Sequence, residues 1–311
     1  MKLKKVFAFL LIGAMVFAMT ACGGKETPKE TTAPETETAQ TETAETEAAG
    51  TAAPEAEAEN ATIQVFIAAS LSTVMEDVKA KFNETHPNVE IIYTADSSGK
   101  LKEQIENGFE CDVFFSAAQK QMNALEEGGF LVEGTRANVV NNQLVVVTYK
   151  GSGTEVTGLE DLDKASSIAL ADGSVPVGRY TRASLLALGI LPEEEGKDAA
   201  DYTTQEVSDA LGGVEISEQG NVSKVLLAVA EQSCEVGTTY YSDTYGHEDD
   251  VEILQTVSYD VSGNIIYPVA QIVNEEASEA QAAAAREFVD FITSDEAKAI
   301  FDSYYFDTNV E

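Results

Sequence analysis

Small and hydroxyl-bearing residues recur at four points of this 311-residue chain where an apolar run gives way to a helical pattern. The first is Ala68-Ala69-Ser70. It follows the β-branched and aromatic run 63–69 and precedes a stretch whose Leu71, Val74, Met75, Val78 and Phe82 share one helical face. The second is Thr94-Ala-Asp-Ser-Ser-Gly-Lys-Leu101, the third Ser174-Val-Pro-Val-Gly-Arg-Tyr180, and the fourth Gly220-Asn-Val222. Each reads as a strand-to-helix junction. A helix start carries free backbone N–H groups and partial positive charge, so each is suited to an anion. At the third, Pro176 fixes a turn and Gly178 is expected to let the backbone approach a ligand. Tyr240-Tyr241-Ser-Asp places phenols at the end of a further strand. Taken singly, Ser70, Ser98 and Val222 also read as plain helix starts, Pro176-Val177-Gly178 as a turn, and Tyr240 as a strand aromatic.

The elements that must position these residues alternate. Strands are expected over 63–69, 89–94, 112–117, 143–149, 167–171, 237–241 and 265–273. Helices are expected over 71–82, from near Ser97-Ser98-Gly99 to 107, and over 119–127, 178–188, 222–230, 280–291 and 295–303. Alternation of this kind implies an α/β fold of mostly parallel sheets with helices on both faces. Two successive series, with the chain returning at the end, suggest two lobes joined by strand crossings. Residues 61–143 with 265–311 form lobe 1 in this reading, and 144–264 form lobe 2. Strand ends and helix starts then meet in a crevice between them.

Residues 1–21 read as an export signal: Lys2, Lys4 and Lys5 precede an apolar core too short to span a bilayer. The small residues before Cys22 resemble a bacterial lipoprotein signal, although Met19 is unusual three positions ahead of the cysteine. Cys22 would then be the lipidated first residue of the mature chain. Residues 23–60 are Thr, Glu, Ala and Pro without apolar periodicity. They read as a disordered tether reaching about 35 Å. The protein is therefore expected outside the cell, held by lipid alone on the outer face of the cytoplasmic membrane.

The formal charge of the chain is −35. Removing three lysines of the leader, and ten glutamates and two lysines of the tether, leaves −30 on residues 61–311. So acidic a surface excludes a nucleic-acid footprint and charge-driven binding to anionic lipid. Cys111 and Cys234 precede strands of different series and read as buried free thiols. His86 and His247 stand alone, so no direct protein ligands to a cation are expected. A nucleophilic role for Ser70 or Ser98 would need a base held by an orienting group, and neither histidine sits in such a context. No catalytic residue and no cofactor are expected.

In order along residues 62–307, five segments resemble the molybdate-binding proteins of bacterial ABC importers. They are Ala68-Ala69-Ser70-Leu71, Ser97-Ser98-Gly99, Asp112-Val-Phe-Phe-Ser-Ala117, Val175-Pro-Val-Gly178 and Tyr240-Tyr-Ser-Asp243. The resemblance implies a type II periplasmic-binding fold, two lobes closing on a ligand cleft. It also implies a monomeric extracytoplasmic protein that holds molybdate or tungstate through neutral donors and delivers it to a membrane permease. Carried over by position, Ser70 and Ser98 would each give a hydroxyl and a backbone N–H. Val177 and Val222 would each give a backbone N–H, and Tyr240 its phenol. Relatives often have alanine where Val177 stands; a backbone donor should survive that change. Asp96 replaces a small residue and would repel a dianion if it pointed inward, so it is expected to face solvent. No contacting group titrates between about pH 6 and 8, so binding should be nearly constant there. Ferric ion is the alternative ligand, because paired tyrosines such as Tyr240-Tyr241 occur in iron-binding relatives of this fold; a sulfate-like oxyanion is another.

Overall fold

The computed structural model describes residues 59–310; the leader, Cys22 and the tether up to residue 58 lie outside the described residues. In chain order the elements are β1 (Ala61–Ala68), α1 (Ser72–Asn83), β2 (Val89–Asp96), α2 (Ser98–Glu106), β3 (Val113–Phe115), α3 (Gln119–Glu127), β4 (Ala137–Asn142) and β5 (Leu144–Tyr149). There follow β6 (Ser167–Ala171), α4 (Pro176–Ala187), α5 (Thr204–Ala210), β7 (Glu215–Gln219), α6 (Val222–Ala230), β8 (Val236–Tyr240) and β9 (Val251–Thr256). The chain ends with α7 (Tyr259–Ser262), β10 (Ile265–Gln271), α8 (Glu279–Ile292) and α9 (Asp295–Ser303).

Among the described residues, ten strands build two five-stranded sheets on one plan, β2-β1-β3-β10-β4 and β7-β6-β8-β5-β9. In each, three strands run parallel (β1 with β2 and β3; β6 with β7 and β8). The fourth strand of each runs antiparallel to both neighbours: β10 in the first sheet, β5 in the second. The sheets are thus mixed. The chain passes from one to the other between Asn142 and Leu144 and returns between Thr256 and Ile265.

Helix faces seat as their spacing predicts. Leu71, Val74, Met75, Val78 and Phe82 are at most 1% exposed, and Val225, Leu226 and Val229 of α6 are buried. Burial of such side chains stabilises by roughly 1.5–3 kcal/mol each. Three strands escape the periodicity reading: β4 (ANVVNN), β7 (EISEQ) and β9 (VEILQT). All three stand at the margins of their sheets, β4 meeting only an isolated bridge from Asp307 on its outer side, and need no continuous apolar run. Cys111 and Cys234 are buried and unbridged. Among the described residues, no helix is long and apolar enough to cross a membrane.

Candidate functional site

Three helices begin at one small cavity. Their caps determine which N–H groups remain free there. In α2, the Ser97 side chain caps the helix by accepting the Lys100 N–H at 3.4 Å. In α6, the Asn221 side chain accepts the Lys224 N–H at 3.0 Å. Each cap occupies the third donor of its helix and leaves the first, on Ser98 and on Val222, with no acceptor inside the helix. Helix α4 solves the same problem differently. Pro176 stands at its first position and has no N–H, so Val177 carries the first available donor. This helix starts two residues earlier than its spacing suggested, which brings Val177 into the first turn.

Ser70, Ser98, Val177, Val222 and Tyr240 all line this one small cavity. Ala68, Ala69, Ser97, Ala117, Val175 and Pro176 complete the wall, and no lysine, arginine, aspartate or glutamate lines it. Ser70 and Ser98 stand with the first sheet, the other three with the second, so the cavity is lined from both sides. Ser98 is 1% exposed, and its Oγ accepts the Ala117 N–H at 2.9 Å. Ser70 Oγ lies 2.8 Å from the Tyr267 hydroxyl. Tyr240 is 1% exposed, and its hydroxyl has no protein hydrogen-bond partner. Burial, reinforced by Tyr267, Tyr180 and Asp243, raises its pKa well above the ordinary phenol value, so it is held as an O–H donor.

Two expectations about neighbouring residues need correction. Gly178 does not line the cavity; a Cβ there would sit 2.2 Å from the Asp172 carbonyl oxygen and 2.4 Å from that of Ala171. Its role is to let α4 start hard against the end of β6. Asp96 is half-buried rather than turned to solvent. Its carboxylate accepts the Ser97 N–H at 2.7 Å, faces Lys100 at 3.5 Å, and receives the Asn221 side-chain amide at 3.3 Å from across the cleft. It is not part of the cavity wall, so no repulsion arises at contact distance.

Further contacts join the two sides. Lys120 of α3 meets Asp198 at 3.1 Å, and Asp198 also takes a bidentate pair from Arg179 of α4 at 3.1 and 3.2 Å. The Ser223 hydroxyl reaches the Ala69 carbonyl at 3.4 Å. A Cβ on Gly99 would come within 2.8 Å of the Ser174 carbonyl oxygen. Arg182, fully buried in α4, donates to the carbonyls of Tyr202, Ala171 and Gly178 and does not line the cavity.

The remaining candidates lie elsewhere. Tyr241 does not line the cavity and packs against Tyr305 with ring centroids 5.2 Å apart. His86 stacks on Phe82 at 4.0 Å, and His247 lines a separate depression. No cluster of three or more His, Cys, Asp or Glu that would hold a metal ion occurs among the described residues. Sequence reasoning did not find Tyr267 or Asn142, which stand behind Ser70. Tyr267 reads only as an aromatic in a buried strand, and Asn142 ends a strand that carries no apolar signal.

This arrangement is a two-lobed binding fold with donors gathered at the junction, and residues 63–307 match the family of bacterial extracellular solute-binding proteins, to which the chain belongs. The molybdate-binding protein ModA of Escherichia coli (strain K12) is 29% identical over 258 residues, 81% of this chain and 91% of its own. YvgL of Bacillus subtilis (strain 168), assigned as an ABC transporter substrate-binding lipoprotein, is 28% identical over 249 residues, 80% of this chain and 87% of its own. Among solved structures, a substrate-binding domain from Clostridium difficile assigned to a molybdenum ABC transporter is 29% identical, with a TM-score of 0.57, covering 81% of this chain and all of that one. The sulfate-binding protein SubI of Mycobacterium tuberculosis H37Rv (14% identity, TM-score 0.61, covering 79% and 86%) shares the two-lobe type II fold. Iron-bound HitA of Pseudomonas aeruginosa (14%, 0.57, covering 78% and 84%) shares it too. The chain is a solute-binding protein of an ABC transporter, acting outside the cytoplasm.

Proposed function

We propose that this protein captures molybdate or tungstate through the hydroxyls of Ser70, Ser98 and Tyr240 and the backbone N–H groups of Ser70, Ser98, Val177 and Val222, and delivers it to an ABC permease. The observation that carries this reading is the Tyr240 hydroxyl, fully buried, held protonated and without a protein partner on a cavity where three helices begin. Such a group favours an acceptor-only ligand. The resemblance to ModA and to the Clostridium difficile domain supports the choice of oxyanion.

An anion entering the cavity gives up its hydration, and burying it unpaired would be very costly. Seven donors replace that shell, each charge-assisted bond contributing roughly 1.5–3 kcal/mol. The helix N-termini add favourable dipoles at contact distance. The −30 charge of the folded part opposes this only weakly, because carboxylates beyond about 8 Å are screened at physiological ionic strength. Because donors come from both lobes, here assigned as 61–143 with 265–311 and as 144–264, ligand binds the closed state best and shifts the population toward it. The permease would read that closed shape. Ferric ion is disfavoured: the wall lacks a carboxylate, burial opposes a Tyr240 phenolate, and Tyr241 is engaged elsewhere. Cys22 would carry the lipid that keeps the protein at the membrane.

Titration calorimetry with molybdate, tungstate, sulfate and Fe³⁺ tests the assignment. Tight binding of the first two and weak binding of the others is the expected result. Saturation by sulfate or iron alone would overturn it. Mass spectrometry of protein from its native membrane should find Cys22 acylated at a new N-terminus.

A further inference from the structure

We propose that Tyr267, held by Asn142, is the positioning residue that makes Ser70 an obligate donor into the cavity. This rests on the oxyanion reading above. The inference follows from the direction of hydrogen bonds behind the cavity wall. Asn142 Oδ1 accepts two backbone N–H groups, from Gln143 at 2.9 Å and Ser242 at 3.4 Å. Those donors fix the amide orientation, because its nitrogen cannot accept. The Asn142 Nδ2 therefore faces the Ser242 hydroxyl at 2.7 Å and the Tyr267 hydroxyl at 3.2 Å, donating to both.

Tyr267 is fully buried, and its hydroxyl has two partners, Asn142 and Ser70. With its oxygen already accepting from Asn142, its single proton goes to Ser70 Oγ, the one acceptor available. Burial, and the nearby Asp243, raise the Tyr267 pKa well above the ordinary value, so that proton is present at any physiological pH. Ser70 Oγ then accepts from inside the protein, and its own hydrogen is left for the cavity it lines. Ser98 reaches the same state through a backbone group, the Ala117 N–H. Ser70 needs a side-chain relay to achieve it. The relay starts at the strand crossing, since Asn142 is the last residue of β4, and Tyr267 abuts the register shift in β10 between Tyr267 and Pro268.

The test is a double-mutant cycle read by calorimetric titration with molybdate at pH 7, using wild type, Tyr267→Phe, Ser70→Ala and the double variant. Phenylalanine keeps the ring contacts of Tyr267 with Tyr240 at 6.0 Å and Phe306 at 5.7 Å. Tyr267→Phe should weaken molybdate binding about tenfold, and the double variant should bind no more weakly than Ser70→Ala alone. Asn142→Asp keeps the acceptor for the two backbone N–H groups but reverses the relay; its affinity should fall at least as far. Additive losses in the double variant, or unchanged affinity in Tyr267→Phe, would overturn the relay while leaving the oxyanion reading intact. A wild type that binds neither molybdate nor tungstate would overturn the oxyanion reading itself.

Discussion

The two sides of the cavity present donors of different kinds. The first sheet's side offers side-chain hydroxyls, Ser70 and Ser98, each backed by a buried donor that aims it. The second sheet's side offers backbone N–H groups at Val177 and Val222, placed by a proline and an asparagine cap, with Tyr240 as its one side-chain donor. Side-chain donors can be deleted by many single substitutions; a backbone donor is lost only to proline. The lesson is that residue identity matters on one side and helix geometry on the other.

Substitutions sharpen that contrast. Ser98→Ala should do most harm, because it removes a hydroxyl donor and leaves the Ala117 N–H without its acceptor; we expect molybdate affinity to fall about a hundredfold by calorimetry. Tyr240→Phe removes one charge-assisted bond and should cost about tenfold to thirtyfold in the same titration. Gly99→Ala drives a methyl group against the Ser174 carbonyl across the cleft. It should hold the lobes apart, giving about tenfold weaker binding and a larger scattering radius with ligand present. Val177→Ala should change affinity by less than about twofold, since its donor is the main chain. A Val177→Ala loss as large as that of Ser98→Ala would erase the distinction between the two sides.

Asp243 gives a pH test with the smallest effect on ligand. It is half-buried, and desolvation pushes its pKa from 3.8 up to about 6, against hydrogen bonds from Thr239 and the Tyr240 N–H. The folded state holds this proton more tightly than the unfolded chain does. Its contribution to stability is therefore full below about pH 4 and lost as pH rises through about 6. Relative to Asp243→Asn, the unliganded wild type should lose about 5 °C of melting temperature between pH 4 and pH 7. Parallel curves for the two proteins would refute this. Binding, expected to be level between pH 6 and 8 from the contacting groups alone, should bend at the acid end in wild type and stay level in the variant.

Much of the fold was legible because core strands and helices carry their own periodicity, as at Leu71, Val74, Met75 and Val78. The edge strands β4, β7 and β9 were not, because a strand at the margin of a sheet needs no apolar run. The five candidate residues, all of them on the cavity wall, came from local junction chemistry together with a family resemblance. Long-range packing stayed hidden. Nothing local to Gly178 says that carbonyls of β6 crowd it, nothing at Asp96 announces Asn221, and nothing near Ser70 points to a tyrosine 197 positions away.

Asp198 carries one more consequence. It holds Arg179 on its own side and Lys120 on the other, all three in contact with solvent, so the pairing across the cleft is worth at most about 1 kcal/mol and weakens as salt rises. Opening of the cleft should therefore be easier at high ionic strength than at low, a dependence that the neutral donors lining the cavity would not create.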